Sequence, residues 1–447
     1  MVSRSRNFRK ESACLVVGFL AALVAFGAGP SFTSYSAVRP ILEAFAGQLP
    51  PDLSNPNEAK WTAWSRQEDR AIRARLDRGD LDSMVNLLLY GTSFTKQPRV
   101  QVQALNGVVV RGRVDDMVRG LKDPGDNERL VFLRNLLRGK GFDPNDAGKT
   151  GVFIFQNLQR VLEEKRKFNA RVDDAKAGKA PPQVFRDRGV SLDTTIFPNM
   201  AIDQALRDLA GQGLLKKVER VAVIGPGLDF TDKEEESGYD YYPQQTLQPF
   251  AVYDSLLRLS LIKDGQAGVT VLDISSRVLD HLQRARERAK RGEGYVVQLP
   301  RDPAGRRWTP AVVKYWKAFG DQAGKEIAPI RPPATLKGLE TRAVRIRPEV
   351  VLAAEPIDLN IVLERAEMTE GRFDLVVATN ILVYYGAFEQ TLALQNIAAM
   401  LKPGGFLLTN DELRESPSVP MRRVGNTTLF YDEASSLGDS VLWYRKQ

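Results

Sequence analysis

The sequence predicts an α/β fold for its carboxy-terminal half, and three observations carry that expectation. From Val218 onward, short apolar runs suited to buried strands alternate with helical stretches. The first run, Val221-Ala222-Val223-Ile224, passes directly into Gly225-Pro226-Gly227. The next, Val269-Thr270-Val271-Leu272, ends on an acid, Asp273. Glycines after a first strand allow a tight turn and a close approach of ligand to backbone. An acid at the end of the second strand of a doubly wound sheet can accept hydrogen bonds from ribose hydroxyls.

The chain has 447 residues, too many for one ordinary domain, so two folded units behind a leader are expected. Arg4, Arg6, Arg9 and Lys10 precede an apolar run over 13–29 that stops at Pro30. This is the layout of a basic segment followed by a membrane-directed one. Ser34 and Ser36 offer a cleavage site before Ala37, so residues 1–36 are expected to be either a signal peptide or a retained membrane anchor. The basic flank favours keeping the amino terminus in the cytoplasm, which places the rest of the chain on the exported side.

Residues 37–195 read as a mainly helical domain. Trp61, Trp64, Ala71, Ile72 and Leu76 recur near the helical period, with Gly79 placed as a C-terminal cap. Residues 80–83 then offer N-caps for a separate helix over 84–90. Further helices are expected around Leu130, Leu133 and Leu137, ending at Gly139, and over 153–168. Residues 175–182, rich in Ala, Gly, Lys and Pro, read as a surface loop. No catalytic motif stands out in this domain.

In residues 196–447 the pattern continues. A helix is expected to begin at Pro249, a favoured first-turn residue. Phe373-Asp374-Leu375-Val376-Val377-Ala378 reads as a further strand, and residues 388–401 as a helix. That helix leads through Lys402-Pro403-Gly404-Gly405 into the strand Phe406-Leu407-Leu408-Thr409. Residues 422–431 and 440–444 suit a terminal antiparallel hairpin.

Composition narrows the chemistry. One cysteine, Cys14, and one histidine, His281, leave no intrachain disulfide, no Cys/His zinc set and no Ser/His or Cys/His nucleophile pair. His281, on a predicted helix, reads as a packing or surface residue. The net charge of +8 is spread along the chain with both signs mixed, so no nucleic-acid partner is expected.

Taken in order, Ile224-Gly225-Pro226-Gly227, Asp273, Phe373-Asp374-Leu375 and Leu401-Lys402-Pro403-Gly404-Gly405 resemble class I S-adenosylmethionine-dependent methyltransferases. The stretch over 373–385, ending Thr379-Asn380-Ile381-Leu382-Val383-Tyr384-Tyr385, is similar to chemotaxis-receptor methyltransferases. The resemblance covers roughly residues 215–447. It implies a Rossmann-like, seven-stranded sheet with a terminal antiparallel hairpin, and S-adenosylmethionine as cofactor across the ends of the first strands. Gly225, Pro226 and Gly227 would then line the methionine side, Asp273 would bind ribose, and Ile274 would pack on adenine. Asp358 would reach the adenine amine, and Asn380 would sit near the sulfonium.

The chain departs from the family in two insertions. One, over 231–248, separates the glycine turn from its helix, and its Tyr239-Asp240-Tyr241-Tyr242 is expected to contribute to acceptor binding. The other, over 292–340, carries Trp308, Tyr315 and Trp316. The acceptor, small molecule or protein, is not identified by the sequence, nor is a general base. Tyr384, Tyr385, Asp411, Glu412 and residues 239–242 are the candidates by position. A protein that binds nucleosides on the same fold without methyl transfer is the alternative, since fold does not dictate chemistry. A nicotinamide oxidoreductase fits less well, because Asp273 lies far beyond the roughly 20-residue offset of the compact dinucleotide motif. Location bears on the choice, because an exported methyltransferase would be separated from a cofactor made in the cytoplasm.

Overall fold

The computed structural model describes residues 29–100, 105–176, 189–190, 192, 194–229, 239–305, 307–334, 336–367 and 372–447. The apolar leader with Cys14, residues 177–182 of the expected surface loop, and 231–238 of the first insertion lie outside these. Among the described residues, no helix is long and apolar enough to cross a membrane.

The chain enters through a short strand, β1 (Ser31–Phe32), and helix α1 (Tyr35–Ala44), then a 33-residue helix, α2 (Glu58–Tyr90), capped at its start by the Asn57 side chain. Three further helices follow: α3 (Gly107–Lys122), α4 (Glu128–Gly139) and α5 (Ala147–Lys176). Asn106 and Asn127 accept the first amide protons of α3 and α4, which is why those helices begin there.

The single helix α2 corrects the expected break at Gly79. Gly79 is not a cap; it is the helix residue over which the chain at 189–190 crosses. A Cβ at Gly79 would collide with the Val190 carbonyl, and one at Gly189 would come within 2.6 Å of the Gly79 nitrogen. Close backbone approach outweighs the roughly 1 kcal/mol that a glycine costs inside a helix. Helix α5 likewise runs past both predicted ends, 153 and 168.

From here the α/β order begins: α6 (Phe197–Gly211), β2 (Arg220–Ile224), α7 (Gln248–Arg258), β3 (Gly268–Asp273) and α8 (Ser276–Lys290). The second insertion is a small unit of β4 (Tyr295–Arg301), α9 (Pro310–Ala318), β5 (Gly324–Ile327) and β6 (Glu340–Ile346). Its strands form an antiparallel sheet in the order β4-β6-β5. Helix α10 (Pro348–Ala353) then leads to β7 (Ala354–Asp358), β8 (Glu364–Arg365) and β9 (Phe373–Ala378). Helix α11 (Ala387–Met400), β10 (Leu401–Thr409), β11 (Met421–Phe430) and β12 (Gly438–Lys446) complete the chain.

Among the described residues the main sheet has seven strands in the order β11-β12-β10-β9-β2-β3-β7. Strands β7, β3, β2, β9 and β10 are parallel, and β12 runs antiparallel to both neighbours. This is the Rossmann-like sheet with a terminal antiparallel hairpin that the sequence led us to expect. Numbered along the chain, its strands stand in the order 6-7-5-4-1-2-3, and the order reverses between β2 and β9. Strand β10 begins at Leu401, earlier than expected, and its register against β9 shifts between Leu401 and Phe406, where Lys402-Pro403-Gly404-Gly405 bulges out.

Both faces of the sheet are covered, so its strands read as continuous apolar runs. Val221, Val223, Val269, Val271, Leu375 and Val377 face α6, α7, α8 and the second insertion. Ala222, Ile224, Leu272, Val376 and Ala378 face α11, α1 and the first half of α2. The second half of α2 belongs to a separate core with α3, α4 and α5. Helix α2 thus joins the helical bundle to the sheet.

Candidate functional site

A cleft opens at the carboxyl ends of β2, β3 and β9. Ligands bind at such a reversal of strand order because two neighbouring loops diverge there. Its floor is the glycine turn that leaves β2. Gly225 and Gly227 have φ of +61° and +70°, a left-handed conformation that costs a residue with a Cβ energy. Pro226 lies between them, also in the wall.

Asp273 ends β3 and is buried. Its Oδ1 accepts the Ser275 amide at 2.8 Å, while its Oδ2 is buried without a hydrogen-bond partner. Ser275, not Asp273, stands at the N-cap position of α8. Burial pushes the Asp273 carboxyl up to about 7, with the Asp358 charge adding a smaller push in the same direction. A buried acceptor without a partner costs about 1–3 kcal/mol, so this position awaits a donor. Beside it Leu272, Ile274, Leu359 and Ile361 form an apolar wall.

The loop after β9 forms the opposite wall through Thr379, Asn380, Ile381, Tyr384 and Tyr385. Asn380 holds a φ of +59°. Its amide donates to Asn410 Oδ1 at 2.7 Å, and its Oδ1 accepts from Asn410 Nδ2 at 2.6 Å. Asp411, pushed up to about 6 by burial, accepts the Leu382 amide at 3.0 Å. The end of β10 therefore shapes this loop. Burial drives the Tyr385 phenol well above its ordinary range, so it stays protonated.

Helix α2 closes the cleft from above. Leu76 lines it, as do Val190, Leu192 and Thr194 of the segment that crosses α2. Arg75 donates to the Tyr384 carbonyl at 3.0 Å and stacks 5.9 Å from the Tyr385 ring centre. Arg277, in the first turn of α8, pairs with Asp80 at 2.6 Å. Helix α2 thereby contributes part of the cleft.

The structure brings Gly225, Pro226, Gly227, Asp273, Ile274 and Asn380 together in one cleft. Asp358 is not among them. It pairs in register with Asp273, but its side chain is 57% exposed and held by Arg73, with Nη2–Oδ1 at 2.8 Å. Sequence reasoning did not single out Gln248, Leu359, Ile361, Asn410 or the α2 contacts. Gln248 alone carried a signal, its place just before Pro249.

The remaining candidates have structural roles. Tyr239, Asp240 and Tyr242 are buried and lie away from the cleft. Asp240 accepts the Thr92 and Ser93 amides at 2.7 and 2.9 Å and both hydroxyls. Arg129, buried at the start of α4, donates to the Asp229 and Tyr242 carbonyls. This part of the first insertion fastens the bundle to the glycine turn. Asp240→Ala is therefore expected to cost about 2–4 kcal/mol of stability, read in denaturant melts, and to change ligand affinity far less. An affinity loss larger than the stability loss would restore a binding role.

Glu412 is 81% exposed and pairs with Arg423. Trp308, Tyr315 and Trp316 are buried, with Trp308 edge-on to Phe197 at 5.5 Å. His281 is a packing residue, 2.8 Å from the Tyr295 hydroxyl. Burial lowers it to about 4 and keeps it neutral. Among the described residues no group of His, Cys, Asp and Glu could hold a metal.

No protein-family profile matches the sequence, and no curated protein is similar to it. Solved structures match over about half of the chain. Magnesium protoporphyrin IX methyltransferase from Synechocystis, with bound S-adenosylmethionine, is 10% identical over 56% of this chain and 80% of its own, at a TM-score of 0.27. TrmN from Thermus thermophilus is 13% identical over 56% of this chain and 52% of its own, at 0.26. The N-methyltransferase NodS from Bradyrhizobium japonicum is 14% identical over 55% and 97%, also at 0.26. None of this bears on the local likeness to chemotaxis-receptor methyltransferases. The assignment to the class I methyltransferase fold stands on the strand order, the terminal hairpin and the position of the cleft.

Proposed function

We propose that the cleft binds S-adenosylmethionine and that the protein transfers its methyl group to an acceptor. The carrying observation is the unpaired, buried Oδ2 of Asp273 at the end of β3, between the glycine turn and an apolar wall. The residues present fit this cofactor. Asp273, when ionised, accepts from ribose hydroxyls; Ile274, Leu359 and Ile361 flank the base; Gly225 and Gly227 turn the chain beneath the methionine part, with Ile381 and Leu192 packed against them. Among the described lining residues, formal charge resides on Asp273, an acid. That suits a ligand with cationic groups better than a dinucleotide pyrophosphate, which wants a helix N-terminus or basic side chains.

When bound, the cofactor supplies an electrophilic methyl on a sulfonium sulfur. The chain's own contribution is positioning. Asp273 orients the nucleoside, the Asn380–Asn410 pair holds the loop beside the methionine end, and α2 with Val190, Leu192 and Thr194 shields the cleft from water. Tyr385 stays protonated and Asp273 is committed to the nucleoside. The lining therefore favours an acceptor that arrives already deprotonated, such as a carboxylate or thiolate, for which no base is needed.

Calorimetry on the purified full chain tests this reading. Saturable binding of S-adenosylmethionine and S-adenosylhomocysteine, with none of NAD at the same concentrations, is expected. Binding of NAD in preference to both would overturn it. Binding of S-adenosylmethionine without methyl incorporation into any acceptor fraction would instead favour a nucleoside-binding protein.

A further inference from the structure

We propose that Gln248 is the second polar anchor of the cleft and holds the ammonium at the amino-acid end of the cofactor; this rests on the reading of the cleft just given. Gln248 opens α7, the helix that follows the first insertion, and is 3% exposed. Its Nε2 donates to Thr379 Oγ1 at 2.9 Å. That bond ties the amide to the end of β9. Its Oε1 is buried without a hydrogen-bond partner, and the residue lines the cleft.

Two buried acceptors of cleft-lining residues thus lack partners, Asp273 Oδ2 and Gln248 Oε1. They stand at opposite ends. Asp273 closes β3, Thr379 follows β9, and β2 with its glycine turn lies between them. Adjacent strands are about 4.8 Å apart, so the two positions are separated by roughly 10 Å across the glycine turn. A ligand that satisfies both must carry donors at each end with a narrow middle. A ribose diol at one end and an ammonium at the other meet that demand, and a neutral amide oxygen is a competent acceptor for an ammonium. A nucleoside without the amino-acid part would satisfy only Asp273.

That difference supplies the test. Calorimetry on the full chain compares S-adenosylhomocysteine with methylthioadenosine, which has the same nucleoside and no amino-acid end. Gln248→Leu is expected to weaken S-adenosylhomocysteine roughly tenfold or more and to leave methylthioadenosine affinity unchanged. Gln248→Glu keeps an acceptor and adds charge, so it should retain or tighten S-adenosylhomocysteine binding, with the gain shrinking in added salt. Asp273→Ala should weaken both ligands. Equal losses for both ligands in Gln248→Leu would make Gln248 a support for the β9 loop and overturn the proposal. So would no loss for either, or a Gln248→Glu variant as weak as Gln248→Leu, which would mean that the amide presents its nitrogen. A wild-type chain that binds neither ligand would remove the cofactor reading itself, and this proposal with it.

Discussion

Gly227→Val is expected to abolish cofactor binding and to destabilise the chain by about 2–5 kcal/mol. Two separate costs add. The native φ of +70° disfavours any residue with a Cβ by about 1–2 kcal/mol, and branching adds to that. A Cβ here would also collide with the Leu192 carbonyl and come within 3.1 Å of the Thr194 Cβ, and overpacking of this kind costs about 1–3 kcal/mol. The contacted segment cannot retreat freely, because the Leu192 carbonyl accepts the Leu228 amide at 2.8 Å. Leu192 and Thr194 also line the cleft, so pushing them away opens the wall that shields the ligand. Gly213 gives the control. Its φ is +69° with open space around its Cβ position, so Gly213→Ala should show the conformational cost alone and leave binding intact. Calorimetry and denaturant melts on both variants decide the matter. Wild-type affinity in Gly227→Val would remove the glycine turn from the site.

Much of the sheet was legible because each strand obeys one local rule. Val221, Val223, Val269 and Val271 face one layer and Ala222, Ile224 and Leu272 the other, so apolar runs bounded by glycine and polar residues mark strands wherever both faces are covered. The glycine turn and Asp273 were legible as cleft-lining residues because both close a strand where the cleft opens. What was not legible depends on contacts far apart in sequence. Gly79 looks like a helix stop, and only the crossing of Val190, 111 residues later, shows why a glycine sits inside α2. Asp358 has the right place in the third parallel strand, but Arg73 from the amino-terminal half takes its carboxylate. The tyrosines at 239–242 look like a recognition loop, yet Arg129, Thr92 and Ser93 use this segment to dock the bundle. Gln248 and Asn410 differ from ordinary polar surface residues only through partners on other strands. The site is thus half local grammar and half tertiary pairing, and α2 supplies much of the second half.

Asp273→Ala is expected to weaken S-adenosylmethionine binding by about 1.5–3 kcal/mol, roughly 10- to 150-fold, as for hydrogen bonds to a charged group. The pH dependence makes the prediction specific. Burial holds the free carboxyl near 7, whereas ribose hydroxyls favour the ionised form that accepts from them, so binding lowers its pKa. The sign follows. Below about pH 7 a proton must leave before the ligand binds, so the wild-type Kd should rise with falling pH, approaching tenfold per unit. Asp273→Asn should bind more weakly and lose that slope. Stability should move the opposite way. The folded carboxyl lies above its unfolded value, so between about pH 4 and 7 the native state binds more protons than the unfolded chain, and stability from this group falls as pH rises through the window. At pH 8 the ionised, unpaired Asp273 is a cost to the free protein. Asp273→Asn should therefore melt higher than wild type at pH 8 without ligand, and the gap should close at pH 5. Saturating S-adenosylhomocysteine should narrow it at pH 8 as well, since the ligand supplies the missing donors. Titrations between pH 5.5 and 8.5 with matched melting curves check every arm. A flat wild-type Kd across that range, or an asparagine variant no more stable at pH 8, would mean that the Asp273 carboxylate already has its partners within the fold and does not receive the ribose.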